Sequence, residues 1–321
     1  MLGKFLGGLG RVLIISGLVV LGFVGYQLWG TGLETARAQG DLTEGLAAGL
    51  ADEPAEDRSD GEEVDAATLD LAEIAERLAE VDPATAPPMP PPPAGEPLGV
   101  IEIPKIGLEW AIVEGVSKED LKKGPGHYPG TALPGQAGNA GIAGHRTTYG
   151  APFNRIDELV PGDEIRVTTP QGRFVYEVIP APGQDGQAWY AVPPTRVEVL
   201  EDVGDNRLTL TACHPKYSAR ERIIVHARLA AQPAATPEAV SVQRPEVREE
   251  VALDFDDGLE GDPDALPRAL AFGGGAAALM VLAWVLARHV RRWVVYALAT
   301  PGVLVLIWFG YVHMDRYLPA L

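Results

Sequence analysis

The sequence predicts an all-β domain in the middle of the chain, tethered by apolar helices at both ends. Three observations support this prediction. Between residues 98 and 230, short apolar segments are separated by turns rich in glycine and proline, a pattern typical of a β-barrel or β-sandwich. Three uncharged apolar runs, one near the N-terminus and two near the C-terminus, are each long enough to cross a bilayer. Acidic stretches join these parts.

The N-terminal segment, residues 1–31, predicts a cytoplasmic start and a signal-anchor helix. Lys4 and Arg11 precede the apolar run Val12–Trp29. A cleaved signal peptide is the alternative, and Ala36-Arg37-Ala38 resembles a cleavage site. That site lies well past the apolar run, and the run is longer than a usual signal-peptide core. We therefore expect an uncleaved anchor with its N-terminus in the cytoplasm.

Residues 32–97 form an acidic, proline-rich spacer with one predicted amphipathic helix over 64–81. The apolar residues of this helix recur at a 3-4-3 spacing and make one narrow stripe: Leu71, Ile74, Leu78 and Val81. We expect a solvated spacer helix. The alternative is a helix that docks on the central domain or on a second copy. Pro87–Pro93 predicts a stiff polyproline segment, so the spacer should hold the next domain away from the membrane.

The central domain, residues 98–230, contains a series of predicted strands joined by long loops. Pro161 and Gly162 end a short helical turn over 153–159. The predicted strands include 100–103, 110–113, 140–143, and a hairpin of 163–169 with 173–179.

The C-terminal part consists of an acidic linker, residues 231–267, and a helical hairpin, residues 268–321. The two apolar runs of the hairpin are Ala269–Ala287 and Trp293–Val312, and the connection Arg288–Arg292 is basic. A basic loop is expected in the cytoplasm. The central domain and the short tail would then lie outside the cell.

Composition limits the classes of function. The net charge of −18 argues against a nucleic-acid partner. The single cysteine, Cys213, excludes an intrachain disulfide, and a lone thiol is either a small buried hydrophobe or a reactive group. We find neither metal-ligand spacing nor a phosphate-binding loop, and we expect no metal and no cofactor.

The stretch Arg207–Leu229 predicts a hairpin that carries this cysteine. Leucine and alanine alternate with Thr209, Thr211 and Cys213, so the thiol should lie on the face opposite the apolar core. In the second predicted strand, Arg222 should likewise lie on the face opposite the apolar residues. Pairing of the two strands would bring a guanidinium beside the sulfur.

These residues resemble the sortase family. The strand Thr-Leu-Thr-Ala-Cys, the following arginine, and the segment Gly144–Gly150 (GHRTTYG) occur in the family's order. The segment CHPKYSARER is most similar to class E, the housekeeping type of high-GC Gram-positive bacteria. Ala212 stands where the family often has threonine. The resemblance covers residues 98–230 and implies an eight-stranded sortase-type β-barrel.

The resemblance also implies the roles of the site residues. Cys213 would attack the substrate carbonyl and hold a thioester, and His145 would transfer protons to and from the amines. Arg222 would donate hydrogen bonds to the substrate or the oxyanion. Arg220 shares its strand parity and is the main alternative, as His214 is for His145. Thr209 and Thr211 share the cysteine's face and are expected to line the peptide groove.

The implied reaction is that of a multi-pass membrane enzyme with an extracellular catalytic domain. It would cleave a C-terminal LAxTG- or LPxTG-like sorting signal of a secreted protein between Thr and Gly. The protein would then be transferred to an amine of a peptidoglycan precursor. Two alternatives are a sortase that polymerises pilins and a non-enzymatic, membrane-tethered binding module. Asp82-Pro83 is followed by Ala84 rather than by an aromatic lid residue, which counts against the pilin alternative.

Overall fold

A computed structural model describes residues 2–51, 69–237 and 262–318. The chain forms two compact units, one of residues up to 27 together with those from 260, and one of residues 28–259. The first five residues of the predicted 64–81 helix, most of the predicted acidic linker and the last three residues lie outside the described residues.

The second unit is built around a β-barrel. Within the described residues its nine strands are β1 Pro97–Ile103, β2 Leu108–Glu114, β3 Gly126–His127, β4 Asn139–Ala143, β5 Glu164–Thr169, β6 Gly172–Val178, β7 Trp189–Val192, β8 Arg207–His214 and β9 Glu221–Leu229. They hydrogen-bond in the order β6-β5-β1-β2-β3-β4-β8-β9, and β6 also pairs with β9, which closes a barrel of eight strands. The predicted eight-stranded barrel is therefore confirmed.

One edge of β9 is shared between two partners. Residues 227–229 pair with β6 and close the barrel, whereas residues 222–225 pair with β7. The short strands β3 and β7 were not predicted, because two to four residues give too little alternation to detect.

The barrel core is formed by the apolar face of each strand. In β8 this face consists of Leu208, Leu210 and Ala212, and in β9 it includes Ile223 and Val225. Complete burial of each large aliphatic side chain contributes about 1.5–3 kcal/mol. The period-2 pattern therefore fixes which face of β8 points inward, and it leaves Cys213 on the outer face.

Two helices of the predicted spacer pack on the outside of the barrel. They are α2, Thr31–Ala51, and α3, Leu71–Leu78. Asp70 caps α3 by accepting a hydrogen bond from the Glu73 amide. One apolar cluster joins both helices to β1 and β2: Leu42, Leu46, Ala47, Ile74, Ala75, Leu78, Val100, Ala111 and Val113. The described part of the predicted 64–81 helix thus adopts the docked alternative.

The proline-rich segment also lies against the barrel. The Gln171 side chain donates to the Pro87 carbonyl at 2.8 Å, and the Gln136 side chain donates to the Met89 carbonyl at 2.8 Å. Backbone carbonyls of an extended polyproline segment are free to accept such bonds, because the segment has no internal hydrogen bonds. The short helix α4, Lys118–Leu121, follows β2.

The first unit contains α1 Leu2–Gly25, α5 Ala265–Leu286 and α6 Arg292–Tyr317. Each belongs to a helical stretch that is long and apolar enough to span a membrane. The Tyr311 hydroxyl donates to the Val19 carbonyl at 2.7 Å, and the Gln27 side chain donates to Asp315 Oδ1 at 2.8 Å. These bonds join the N-terminal helical segment to α6 inside this unit. A π-helical turn, Tyr26–Gly30, precedes α2 in the sequence.

Candidate active site

Cys213 is the last residue but one of β8, and it lies opposite Arg222 of β9 in the strand register. The cysteine is 7% exposed and Arg222 is buried. Arg222 Nη1 donates to the carbonyls of Ala219 and Glu221 at 3.0 and 2.9 Å. Its Nη2 is buried without a hydrogen-bond partner among the described residues. The arginine is thus held by its own turn and keeps a donor for another group.

His145 comes to the same end of the barrel because β4 and β8 run parallel. Ala143 lies opposite Thr211, and the Gly144 amide donates to the Thr211 carbonyl at 3.0 Å. His145 follows Ala143 by two residues, and Cys213 follows Thr211 by two residues. Parallel strands leave a sheet at the same edge. The topology therefore brings the histidine segment beside the cysteine end of β8.

Arg146 joins these two segments, and its role was not predicted. Its side chain is 1% exposed. Nη1 donates to His214 Nδ1 at 2.9 Å and to the Cys213 carbonyl at 3.4 Å, and Nη2 forms an ion pair with Asp157 at 2.9 Å. The only signal in the sequence was its position directly after His145.

The alternatives to the predicted catalytic residues have other surroundings. His214 Nδ1 accepts a hydrogen bond from Arg146 Nη1, and the ring packs on Trp189 at 5.4 Å between centroids. Arg220 is exposed and precedes the strand pair, whereas Arg222 is opposite the cysteine. Another histidine of the barrel, His127, is buried against Glu114, with 2.7 Å between Nδ1 and Oε2.

The electrostatics of the site favour a neutral thiol at rest. Burial raises the pKa of Cys213, and the cations Arg222 and Arg146 lower it by a smaller amount. The net direction is upward, so the thiol carries its proton at neutral pH. Any nucleophilic step must therefore begin with removal of that proton.

Thr209 and Thr211 are on the predicted face, but their hydroxyls bond within the protein. Both side chains are buried. Thr211 Oγ1 lies 2.9 Å from the Tyr128 hydroxyl. Thr209 Oγ1 donates to Asn139 Oδ1 at 2.7 Å and lies 2.9 Å from His226 Nδ1. These contacts favour a role in fixing β8 over direct contact with a peptide.

The network around Thr209 continues to the connection between β7 and β8. Asn139 Nδ2 donates to the carbonyls of Val199 and Glu201, each at 3.1 Å. On the other side, His226 Nε2 lies 2.8 Å from the Tyr190 hydroxyl. Burial lowers the pKa of His226 to about 4, so the ring is neutral at physiological pH. The network therefore ties this connection to the outer face of β8.

Within the described residues no three His, Cys, Asp or Glu side chains come together as a metal site. The arrangement of a thiol, an imidazole segment and a guanidinium suits acyl transfer through a cysteine nucleophile.

Comparison with known proteins identifies the family. A model of the sortase domain matches residues 101–230. Sortase SrtE1 of Streptomyces coelicolor is 32% identical over 69% of this chain, which covers 56% of that relative's own length. Sortase D of Bacillus subtilis is 32% identical over a stretch that covers 63% of this chain and 86% of the length of that relative. Sortase SrtE2 of Streptomyces coelicolor is 30% identical over a stretch that covers 69% of this chain and 80% of the length of that relative. The chain belongs to the sortase family of cysteine transpeptidases, and the similarity to SrtE1 and SrtE2 supports class E.

Proposed function

We propose that this chain is a membrane-anchored transpeptidase that cleaves a C-terminal LAxTG- or LPxTG-like sorting signal between Thr and Gly. The acceptor is an amine of a peptidoglycan precursor. The observation that carries the proposal is the convergence of two strand pairs at one end of the barrel. The register of β8 with β9 sets Arg222 opposite Cys213, and the parallel pairing of β4 with β8 brings the His145 segment to the same edge.

In the proposed reaction, Cys213 is the nucleophile and His145 transfers the proton. The thiol proton passes to His145 as Sγ attacks the threonine carbonyl carbon. Arg222 donates an Nη2–H, which has no partner in the described part of the chain, to the oxyanion. When the C–N bond breaks, His145 returns the proton to the departing glycine amine. An incoming amine then attacks the thioester and loses a proton to His145, which restores the Cys213 thiol.

The apolar helices support a location in the cell membrane. Lys4 and Arg11 precede the N-terminal apolar run, and residues 288–292, between the two C-terminal apolar runs, contain three arginines. Positive segments next to membrane spans favour the cytoplasmic side. Both segments are cytoplasmic and the barrel extracellular in the topology that we propose. The partners are then secreted proteins with a sorting signal and the cell-wall precursor.

The test uses the full chain in lipid nanodiscs, because α2 and α3 pack on the barrel and a shorter segment would expose their contact surface. The protein is incubated with LAxTG and LPxTG peptides and a glycine-based amine, and products are followed by mass. We expect a thioester adduct on Cys213 and a transfer product, both absent in Cys213→Ala.

Arg222→Ala and Arg220→Ala form a matched pair of variants. We expect Arg222→Ala to lower the transfer rate by about 10²- to 10³-fold, which is the effect of removing one oxyanion donor. Arg220→Ala should keep the wild-type transfer rate. An adduct without transfer to the glycine-based amine would favour a pilin lysine as acceptor. A folded protein that forms no adduct with either peptide would refute the proposed reaction and favour the binding module.

A further inference from the structure

The helix α2 contacts the segment that carries His145. Thr31, the first residue of α2, accepts a hydrogen bond from the Tyr149 amide at 3.1 Å between nitrogen and Oγ1. Both residues are buried. A helix that precedes the barrel by more than forty residues in sequence therefore contacts the loop that follows β4.

Two further polar residues fix α2 on the same side of the barrel. Thr35 and Gln39 follow Thr31 at intervals of four, so the three side chains lie on one helix face. Thr35 Oγ1 donates to the Lys122 carbonyl at 2.8 Å. The Gln39 amide donates to the Ala111 and Lys123 carbonyls at 3.1 and 2.9 Å and accepts from the Ala111 amide at 2.9 Å. Such directional bonds set the position of α2 along the barrel, which apolar packing alone would not do.

Tyr149 transmits this position to the histidine. Its ring centroid lies 4.9 Å from that of His145, with 34° between the planes. The Lys122 ammonium lies 5.8 Å from the Tyr149 ring centroid. Tyr149 has a φ of 52°, a left-handed conformation that bulky residues rarely adopt and that persists only where the surroundings hold it. The bond from the Tyr149 amide to Thr31 is one of the contacts that holds it.

We propose that Thr31 is a positioning residue for the reaction. By binding the Tyr149 backbone, Thr31 keeps the tyrosine ring against His145 and so sets the orientation of the imidazole. The helix α2 then acts on the reaction through its contact with the Tyr149 segment. The kinetic consequence rests on the proposed transpeptidase function, whereas the effect on the orientation of the His145 ring does not.

The experiment compares four variants of the full chain in nanodiscs. Thr31→Val keeps the shape of the side chain and removes the hydroxyl that accepts from the Tyr149 amide. Thr31→Ser keeps that hydroxyl. Thr43→Val makes the same chemical change on α2, where Thr43 donates within the helix to the Gln39 carbonyl. Thr35→Val removes a different bond between α2 and the barrel and so reports on general loosening of the helix.

We expect Thr31→Val to lower kcat by about 10- to 100-fold, the effect of a small misplacement of a proton-transfer group, with KM changed by less than about twofold. The NMR resonance of the His145 Cε1 proton should move, because the ring current of Tyr149 acts on it. Thr31→Ser and Thr43→Val should match the wild type in both measurements. Thr35→Val should keep the wild-type resonance of His145.

Three outcomes would overturn the inference. One is a Thr31→Val protein whose kcat and His145 resonance equal those of Thr43→Val. Another is a Thr35→Val protein that reproduces the Thr31→Val effects, because α2 would then act only by its general stability. If the wild type transfers no peptide, the proposed function fails separately, and an unmoved His145 resonance in Thr31→Val would still refute the positioning role.

Discussion

His226 should make the stability of the barrel depend on pH. Its ordinary pKa of 6.5 falls to about 4 in the folded protein, because burial beneath Tyr190 and Thr209 penalises the charged ring. Above pH 6.5 neither state binds a proton at His226, so the residue does not affect stability. Between pH 6.5 and 4 only the unfolded chain binds one, and the free energy of unfolding falls by about 1.4 kcal/mol per pH unit. The loss between pH 7 and pH 5 is therefore about 2 kcal/mol.

The variant His226→Gln, which cannot be charged, isolates this contribution. Hydrogen exchange of amides in β8 and β9, followed by mass spectrometry and corrected for intrinsic rates, gives the opening free energy of this part of the barrel. Carboxylates titrate in both proteins and cancel in the comparison. We expect the wild type to lose about 2 kcal/mol more than the variant between pH 7 and pH 5. Equal losses in the two proteins would refute the assignment of a neutral, buried His226.

Three further predictions concern the site and the docked helix. Arg222→Leu should slow alkylation of Cys213 by iodoacetamide at pH 8, because loss of a neighbouring cation raises the pKa of the thiol further and leaves less thiolate; an unchanged rate would contradict this. Arg146→Met should lower the free energy of unfolding by about 3 kcal/mol in the same exchange measurement, since Asp157 and His214 lose a buried partner; a change below about 1 kcal/mol would count against it. Leu46→Ala should cost about 3 kcal/mol in β1 and β2, whereas Leu33→Ala, at a side chain 62% exposed on the same helix, should change stability by less than about 0.5 kcal/mol; similar effects of the two would show that α2 does not dock.

The β8–β9 hairpin could be predicted because the residues that specify it are close together in the sequence. Alternation over eight residues fixes which face of β8 is apolar, and a short turn leaves only a few possible registers. The pairing of Cys213 with Arg222 follows from these two facts. The approach of the His145 segment required the parallel pairing of β4 with β8, which no local pattern specifies, and only the family resemblance indicated it.

The docking of α2 could not be predicted for a different reason. The N-terminal part of its contact face consists of Thr31, Thr35 and Gln39, which bond to backbone atoms of the barrel. This N-terminal part of α2 lacks the apolar stripe by which amphipathic helices are recognised, and the apolar contacts begin only at Leu42. The burial of Thr209 could not be predicted from the hairpin sequence, because its network of hydrogen bonds extends to the connection after β7, which lies outside the hairpin.

The buried, protonated state of Cys213 also bears on oxidation. Thiols are oxidised mainly as exposed thiolates, and over-oxidised cysteine is not restored. In the folded resting protein the raised pKa and the 7% exposure of Cys213 both work against that chemistry. For an enzyme whose barrel lies outside the cell, as proposed above, the fold would thus preserve its single thiol from oxidants until a substrate arrives. The burial that lowers the reactivity of the resting thiol would thus also protect the proposed nucleophile from irreversible oxidation.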